Sequence, residues 1–286
     1  MSDKSKPIQS NSMLMNLMIG GCSGIISRTC TAPIELYKIQ KQTFFLPNSN
    51  LSHVLKHDGL PGLWKGNTIN CFRIFPQTAI HYVGNSVFFN MIHSITPYDK
   101  SFDLLVAGSL GGLLASFLTY PFETIRTRIS VQSNHEKQCR TVASMLRQMS
   151  ISEIYRGVSL HMLGHTPFNA LTFTFYHTYR QWFLNYSNRT NNLCSGFLAG
   201  STAVLFTYPT DTIRRRLQLQ GFNEYVPKYN SVRDCIITMY KKEGLFSFYR
   251  GLHAGILKMG FAMSIQFTLF AEFQKIYQRT NSGVTQ

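Results

Sequence analysis

The sequence predicts an all-α membrane protein. Six transmembrane helices are expected in three tandem repeats about a pseudo-three-fold axis, with short helices lying on the surface of one side. Three observations carry this. Long stretches hold no charge, a compound motif returns at a fixed interval, and the basic residues gather in alternate connections.

The uncharged stretches set the solvent. Charged residues are only 14% of the chain and hydrophobic ones 44%, whereas a soluble domain carries about 25% charged residues. No Asp, Glu, Lys or Arg occurs in Ser12–Ser27, Ile74–Pro97, Leu104–Tyr120, Val158–Tyr179 or Leu193–Thr210, and Leu252–Ala271 is broken only by Lys258. Runs of about 17–25 residues are long enough to cross a bilayer as helices. Several are rich in Ser, Thr, Gly and His, so they read as lining something polar. The N-terminal residues show neither a secretory signal nor an Arg-rich amphipathic presequence, so any address is expected inside the chain. The cysteines Cys22, Cys30, Cys71, Cys139, Cys194 and Cys235 form no CxxC and no zinc spacing, and read as packing residues. Asn185 and Asn188 begin sequons that matter only in a secreted chain.

The motif gives the internal period. Pro33, Glu35 and Lys38 recur as Pro121, Glu123 and Arg126, then as Pro209, Asp211 and Arg214, at intervals of 88 residues. A GxxxG begins thirteen residues before each proline, at Gly20, Gly108 and Gly196. Downstream lie the aromatic-basic-glycine corners Trp64-Lys65-Gly66, Tyr155-Arg156-Gly157 and Tyr249-Arg250-Gly251. The organisation is therefore a tail over 1–12, repeats over 13–97, 98–190 and 191–280, and a tail over 281–286. The GxxxG segments are expected to let neighbouring helices approach closely. The prolines should kink the odd-numbered helices and free a backbone carbonyl. The connections Lys38–Gly66, Arg126–Gly157 and Arg214–Gly251 hold 18 of the 28 Lys and Arg residues. The positive-inside rule puts them on the inner side and both termini on the outer side. A surface helix is expected near Ser231–Lys242.

The three acid-base sets should meet where the odd helices converge. Acid and base three residues apart share a helix face, so Glu35–Lys38, Glu123–Arg126 and Asp211–Arg214 could each pair within one helix. Charges inside a membrane are costly and usually paired, and three equivalent balanced sets favour a ring in which each acid pairs with a base of another repeat. Residues that break the symmetry can serve an asymmetric solute. Seven residues after the corner glycines lie Arg73, Gly164 and Lys258; five before the prolines lie Arg28, Ser116 and Val204. Arg28, Arg73 and Lys258 read as unpaired cations facing one cavity, which predicts a polyanionic, phosphorylated substrate. Phe168, Phe261 and Tyr82 could stack on a base. His161 and His165 have a spacing that can bind zinc, but no third ligand is placed near them, and no metal or cofactor is expected.

On these motifs the chain, over roughly residues 12–280, resembles the mitochondrial carriers. The family pattern is P-x-acid-x-x-base-x-base, then acid-Gly, then the aromatic-basic-glycine corner. Repeat one supplies Asp58-Gly59 and repeat three Glu243-Gly244, whereas Met149-Ser150 stands in repeat two and should weaken one linkage there. The resemblance implies alternating access between intermembrane space and matrix in the mitochondrial inner membrane. It implies a matrix salt-bridge gate braced by Gln42 and Gln218, where repeat two has Ser130, and cardiolipin near the corners. A monomer is expected, with no nucleic-acid partner.

Arg73, Gly164-His165 and Lys258 match the family's substrate contact points, and a small residue at Gly164 is implied to leave room for adenine. The stretches Ser27–Pro33 and Gly66–Asn70 resemble the adenine-nucleotide, ATP-Mg/phosphate and coenzyme A branch. In Arg214-Arg215-Arg216-Leu217-Gln218-Leu219, leucine and glutamine replace the three methionines of strict ADP/ATP exchangers. No calcium-binding extension is expected before the first helix. Coenzyme A or thiamine pyrophosphate transport is the alternative, with a proton leak or non-transporting protein lower. The absence of nucleotide loops and catalytic constellations disfavours an enzyme. The outer ring of charges seen in related carriers is largely missing: Asn85–Phe89 has none, Tyr176–Arg180 keeps only the base, and Glu272 and Lys275 are out of phase. At most one pair should close that side, so the cavity is expected to rest open there, unless Tyr82, Phe88 and Phe270 pack it shut.

Overall fold

The computed structural model describes residues 6–43, 51–95, 100–132, 142–183, 188–222 and 226–283. In chain order its helices are α1 (Lys6–Gln42), α2 (Leu51–Asp58), α3 (Asn67–Ile95), α4 (Lys100–Val131), α5 (Val142–Gln148), α6 (Ile151–Ile154), α7 (Val158–Trp182), α8 (Asn188–Leu219), α9 (Val232–Glu243) and α10 (Leu252–Gly283). Two 3₁₀ turns, Leu60–Trp64 and Leu245–Tyr249, precede the first and third corners. No strand occurs among the described residues.

Among the described residues six helices are long: α1, α3, α4, α7, α8 and α10, of 25 to 37 residues each. At 1.5 Å per residue each exceeds a hydrocarbon core of about 30 Å. Among the described residues, α4 and the stretch containing α10 are the two apolar enough to qualify as spans by composition alone. The other four carry more polar residues, among them the buried Ser23, Ser27, Thr31, Asn70, Asn191 and Ser195, which dilutes their average. The residues expected to form the N-terminal tail are helical from Lys6, and the boundary at 190 falls inside the first turn of α8. The boundary at 97, Asn185 and Cys139 lie outside the described residues.

The helices close into a ring. Across the repeat boundaries α3 packs along α4, α7 along α8 and α10 back along α1. Where α3 crosses α4, a Cβ on Gly111 would lie 2.7 Å from the Asn85 amide nitrogen and one on Gly84 3.1 Å from Gly111 Cα. The close approach expected of Gly108 and Gly112 is thus made here by Gly111 and Gly84. Buried apolar side chains gather at the end carrying the short helices. Leu160, Ile213, Leu217, Tyr229, Cys235, Met239 and Phe248 join α7, α8 and α9 there. Ser231 caps α9 by accepting from the Asp234 amide, at the start the sequence indicates.

Pro33, Pro121 and Pro209 lie inside α1, α4 and α8. Each proline denies a hydrogen bond to the carbonyl four residues earlier. Below Pro33 that carbonyl belongs to Thr29, and the Trp64 indole N–H donates to it at 2.9 Å. The tyrosines preceding the other two prolines work differently: Tyr120 and Tyr208 donate their hydroxyls to the corner carbonyls of Arg156 and Arg250 at 2.8 and 3.0 Å.

The corner glycines Gly66, Gly157 and Gly251 have φ of +77°, +84° and +82°, a region where a Cβ is strained. They also abut the next repeat. A Cβ on them would lie 3.0 Å from Arg126 O, 3.5 Å from Arg214 O and 3.3 Å from Lys38 O, respectively. Repeat two lacks the acid-glycine pair. Ser150 caps α6 instead, and the acid moves to Glu153, whose carboxylate is 3.9 Å from Arg128 and 32% exposed. In repeat three, Glu243 holds the fully buried Arg216 with both carboxylate oxygens and Arg250 at 3.1 Å. The repeat-two linkage is the looser of the two, as its sequence implies.

Candidate functional site

A cavity of about 350 Å³ lies where α1, α4 and α8 converge. Its floor is a ring of charge. Lys38 Nζ is 2.6 Å from Asp211 Oδ2, Arg126 Nη2 is 3.4 Å from Glu35 Oε1, and Arg214 Nη2 is 3.5 Å from Glu123 Oε1. Each acid therefore meets a base of another repeat. Three contacts within a helix coexist with the ring among the described residues, Arg214–Asp211 at 2.9 Å, Arg126–Glu123 at 3.9 Å and Arg215–Asp211 at 4.0 Å. Gln42 donates to Asp211 Oδ2 at 3.1 Å and so braces the Lys38–Asp211 pair. Gln218 reaches elsewhere: it donates to the Tyr120 hydroxyl at 3.0 Å and accepts from Thr127 and Arg215.

Arg215, which sequence reasoning left outside the ring, is at its centre. It lies 2.8 Å from Glu123 and 3.6 Å from Glu35, and its side chain is 4% exposed. Its equivalents in the other repeats are Ile39 and Thr127. It thus breaks the three-fold symmetry, the same signal that singled out Arg73 and Lys258.

Arg73 and Lys258 do face the cavity, but they are not unpaired. Arg73 is 2.9 Å from Glu123 Oε2, and Lys258 contacts Glu35. A buried cation needs a carboxylate, and the ring acids are the ones within reach. Arg28 does not line the cavity; it donates to the carbonyl and side-chain oxygen of Asn70 at 3.2 and 3.1 Å. Three carboxylates thus hold six cations, Lys38, Arg73, Arg126, Arg214, Arg215 and Lys258, and the floor is strongly positive.

One wall carries Leu160, Gly164, His165, Phe168, Val204, Thr207 and Met259. Gly164 lines the cavity, and a Cβ there would lie 2.7 Å from the Thr210 hydroxyl of α8, which shares the space beside it. Its small size is used by helix packing. His165 accepts or donates at Asn169, 3.2 Å away. Of the three aromatic stacking candidates only Phe168 lines the cavity; Tyr82 and Phe261 are exposed. Gln77 lines it too, with its buried side-chain oxygen free of a protein hydrogen bond. Away from the ring, His93 Nδ1 is 2.9 Å from the buried Asp103, joining α3 to α4 near the opposite end of the bundle. Glu272 and Lys275 pair within α10 at 2.9 Å.

Three like repeats, six long helices and a charged cavity closed at one end define a membrane carrier of small solutes. The comparisons with known proteins place it further. Residues 9–95, 98–187 and 186–281 each match the mitochondrial carrier protein family, and the chain belongs to that family. It is 30% identical over 88% of its length to mitochondrial substrate carrier family protein A of Dictyostelium discoideum, covering 81% of that protein. It is 27% identical over 95% of its length to a chloroplastic/mitochondrial adenine nucleotide transporter of Arabidopsis thaliana, covering 72% of it. It is also 27% identical over 89% of its length to a mitochondrial adenyl nucleotide antiporter of Mus musculus, of which it spans 57%.

Proposed function

We propose that this carrier exchanges an adenine nucleotide or a closely related phosphorylated solute across the mitochondrial inner membrane, as a transporter rather than an enzyme. The observation that carries this reading is the floor, where three carboxylates face six cations. A polyanion entering the cavity finds Arg73, Lys258 and Arg215 already aimed inward. Guanidinium forks bind phosphate oxygens bidentately and more strongly than neutral groups do. Above the phosphates, Phe168, Val204 and Met259 offer an apolar face for a base, and Gln77 an acceptor for its amine or for a ribose hydroxyl. His165 stands beside them. The adenine nucleotide relatives support the same class.

The ring then serves as the matrix gate, with Gln42 as its brace and Gln218 steadying Arg215, and the cavity opens toward the intermembrane space, where both termini lie. Binding and opening are coupled through shared carboxylates. Phosphate groups that take Arg73 from Glu123 and Lys258 from Glu35 loosen two acids of the ring at once, and the gate opens toward the matrix. The chain acts as a monomer, and cardiolipin headgroups sit at the basic corners.

Uptake of ATP, ADP, AMP, coenzyme A and thiamine pyrophosphate into loaded liposomes tests the reading. The adenine nucleotides should be taken up, and R73A and K258A should lose that uptake while remaining folded. Uptake at the wild-type rate by both variants would remove the phosphate-binding assignment.

A further inference from the structure

Each seam between repeats carries a contact from the second long helix of one repeat (α3, α7 or α10) to the ring of the following repeat. Arg73 on α3 grips Glu123 of α4, and Lys258 on α10 grips Glu35 of α1. At the third seam the equivalent position is Gly164, which has no side chain to reach with. One turn earlier on α7, His161 contacts the guanidinium of Arg214 on α8 through Nδ1. The equivalents of His161 in the other repeats are Asn70, which holds Arg28, and Gly255, which packs against Tyr208 and Lys38. His161 is the one member of that set that reaches a ring residue with a titratable group.

We propose that His161 is the third clamp of the closed ring, a positioning residue that holds Arg214 through an unprotonated Nδ1, so that a proton at His161 releases this seam. The donor and acceptor inventory requires it. A guanidinium has donors and no acceptor, so the imidazole nitrogen facing it must carry the lone pair and Nε2 the hydrogen. Protonation turns that acceptor into a donor and sets a second positive charge against Arg214.

The groups facing His161 leave it little compensation. From α4 come the Tyr120 ring, 5.6 Å away, and Glu123, which already holds Arg73, Arg214 and Arg215. From α3 comes Arg73 across the cavity, and on its own helix the His165 ring lies 5.8 Å away. His161 lines the cavity, so protons reach it from the open side. At the other two seams an anion is needed to displace a carboxylate. At this one, either an anion that outcompetes a neutral imidazole for Arg214 or a proton undoes the His161 contact, leaving Arg214 to Glu123 and Asp211. The inference rests on the ring acting as a gate, but not on the identity of the solute.

Two measurements on the purified full-length chain test it without any solute. In protein labelled with ¹⁵N-histidine, the His161 resonance, assigned by its loss in H161N or H161Q, should show a bare Nδ1 and a protonated Nε2 at pH 7.5. The opposite tautomer, or an imidazolium at that pH, would overturn the proposal. Thermal stability is then followed from pH 8 to pH 5.5. Asn and Gln keep a side-chain oxygen acceptor and cannot titrate, so wild type should lose about 2–4 °C more than either variant over that range, the equivalent of one hydrogen bond in a chain of this size. Parallel profiles would show that His161 fills space and does not switch. The transport assays above report separately on whether the ring is a gate, so a failure of either reading can be told from a failure of the other.

Discussion

Charge reversal at Lys38 tests the ring most directly. Its Nζ lies 2.6 Å from Asp211 Oδ2, with the side chains 12% and 23% exposed. Unit charges about 4 Å apart at an effective dielectric near 20 interact by roughly 4 kcal/mol. K38E replaces that attraction by repulsion. The shorter glutamate can turn away from Asp211, which stays neutralised by Arg214 at 2.9 Å and Arg215 at 4.0 Å, so the repulsion is largely relieved and the lost attraction leaves a net cost on the order of 2–4 kcal/mol. At about 2–4 °C per kcal/mol for a chain of this size, the melting temperature should fall by roughly 5–15 °C. D211K added to K38E should restore about half of that, because the new lysine also meets Arg214 and Arg215. E35K should restore none, since it takes a carboxylate from Arg126, Arg215 and Lys258. The assay is thermal unfolding in detergent alongside nucleotide uptake in liposomes. Rescue by E35K and not by D211K would show that Lys38 pairs within its own helix and that no inter-repeat ring forms.

Two further outcomes follow from other parts of the molecule. R215Q should lower stability and uptake at least as much as loss of any single ring base, because Glu123 and Glu35 both lose a cation; a variant with wild-type stability would show that Arg215 is a bystander. Burial pushes the Cys235 thiol and the Tyr229 hydroxyl each up to about 12, from ordinary values of 9.0 and 10.0. Between those values the folded chain keeps protons that the unfolded chain gives up, so stability falls as pH rises from about 9 toward 12. C235A and Y229F should flatten that decline in chemical unfolding measured across the alkaline range, and an unchanged slope in both would contradict it.

Much of the architecture was readable because it repeats. Motifs 88 residues apart indicate like helices, and an acid and a base on one helix face, three times over, indicate a ring. What the chain could not disclose were distances across seams. Three acids and three bases already balance in the ring, so nothing in the order of residues linked Arg73 to Glu123 or Lys258 to Glu35. The Thr210 hydroxyl that shares the space beside Gly164 comes from another helix. Arg28 looked like a ligand for substrate because its partner Asn70 lies 42 residues away. Arg215 was within reach of sequence reasoning, since Ile39 and Thr127 stand at its equivalent places. It went unread because it sits in a run of three arginines whose first member already filled the motif.

The corner glycines have a mechanical consequence. Each closes its own repeat's turn and at the same time seats against the main chain of the next, so every repeat is both keystone to one neighbour and abutment to the other. A single repeat cannot tilt outward alone, because it would lift off one seat while driving into another. If the bundle opens, these seats would make it behave like the three jaws of a chuck, which move together. A methyl group added at any one corner acts as grit in the chuck, and its effect reaches the two seams it does not touch.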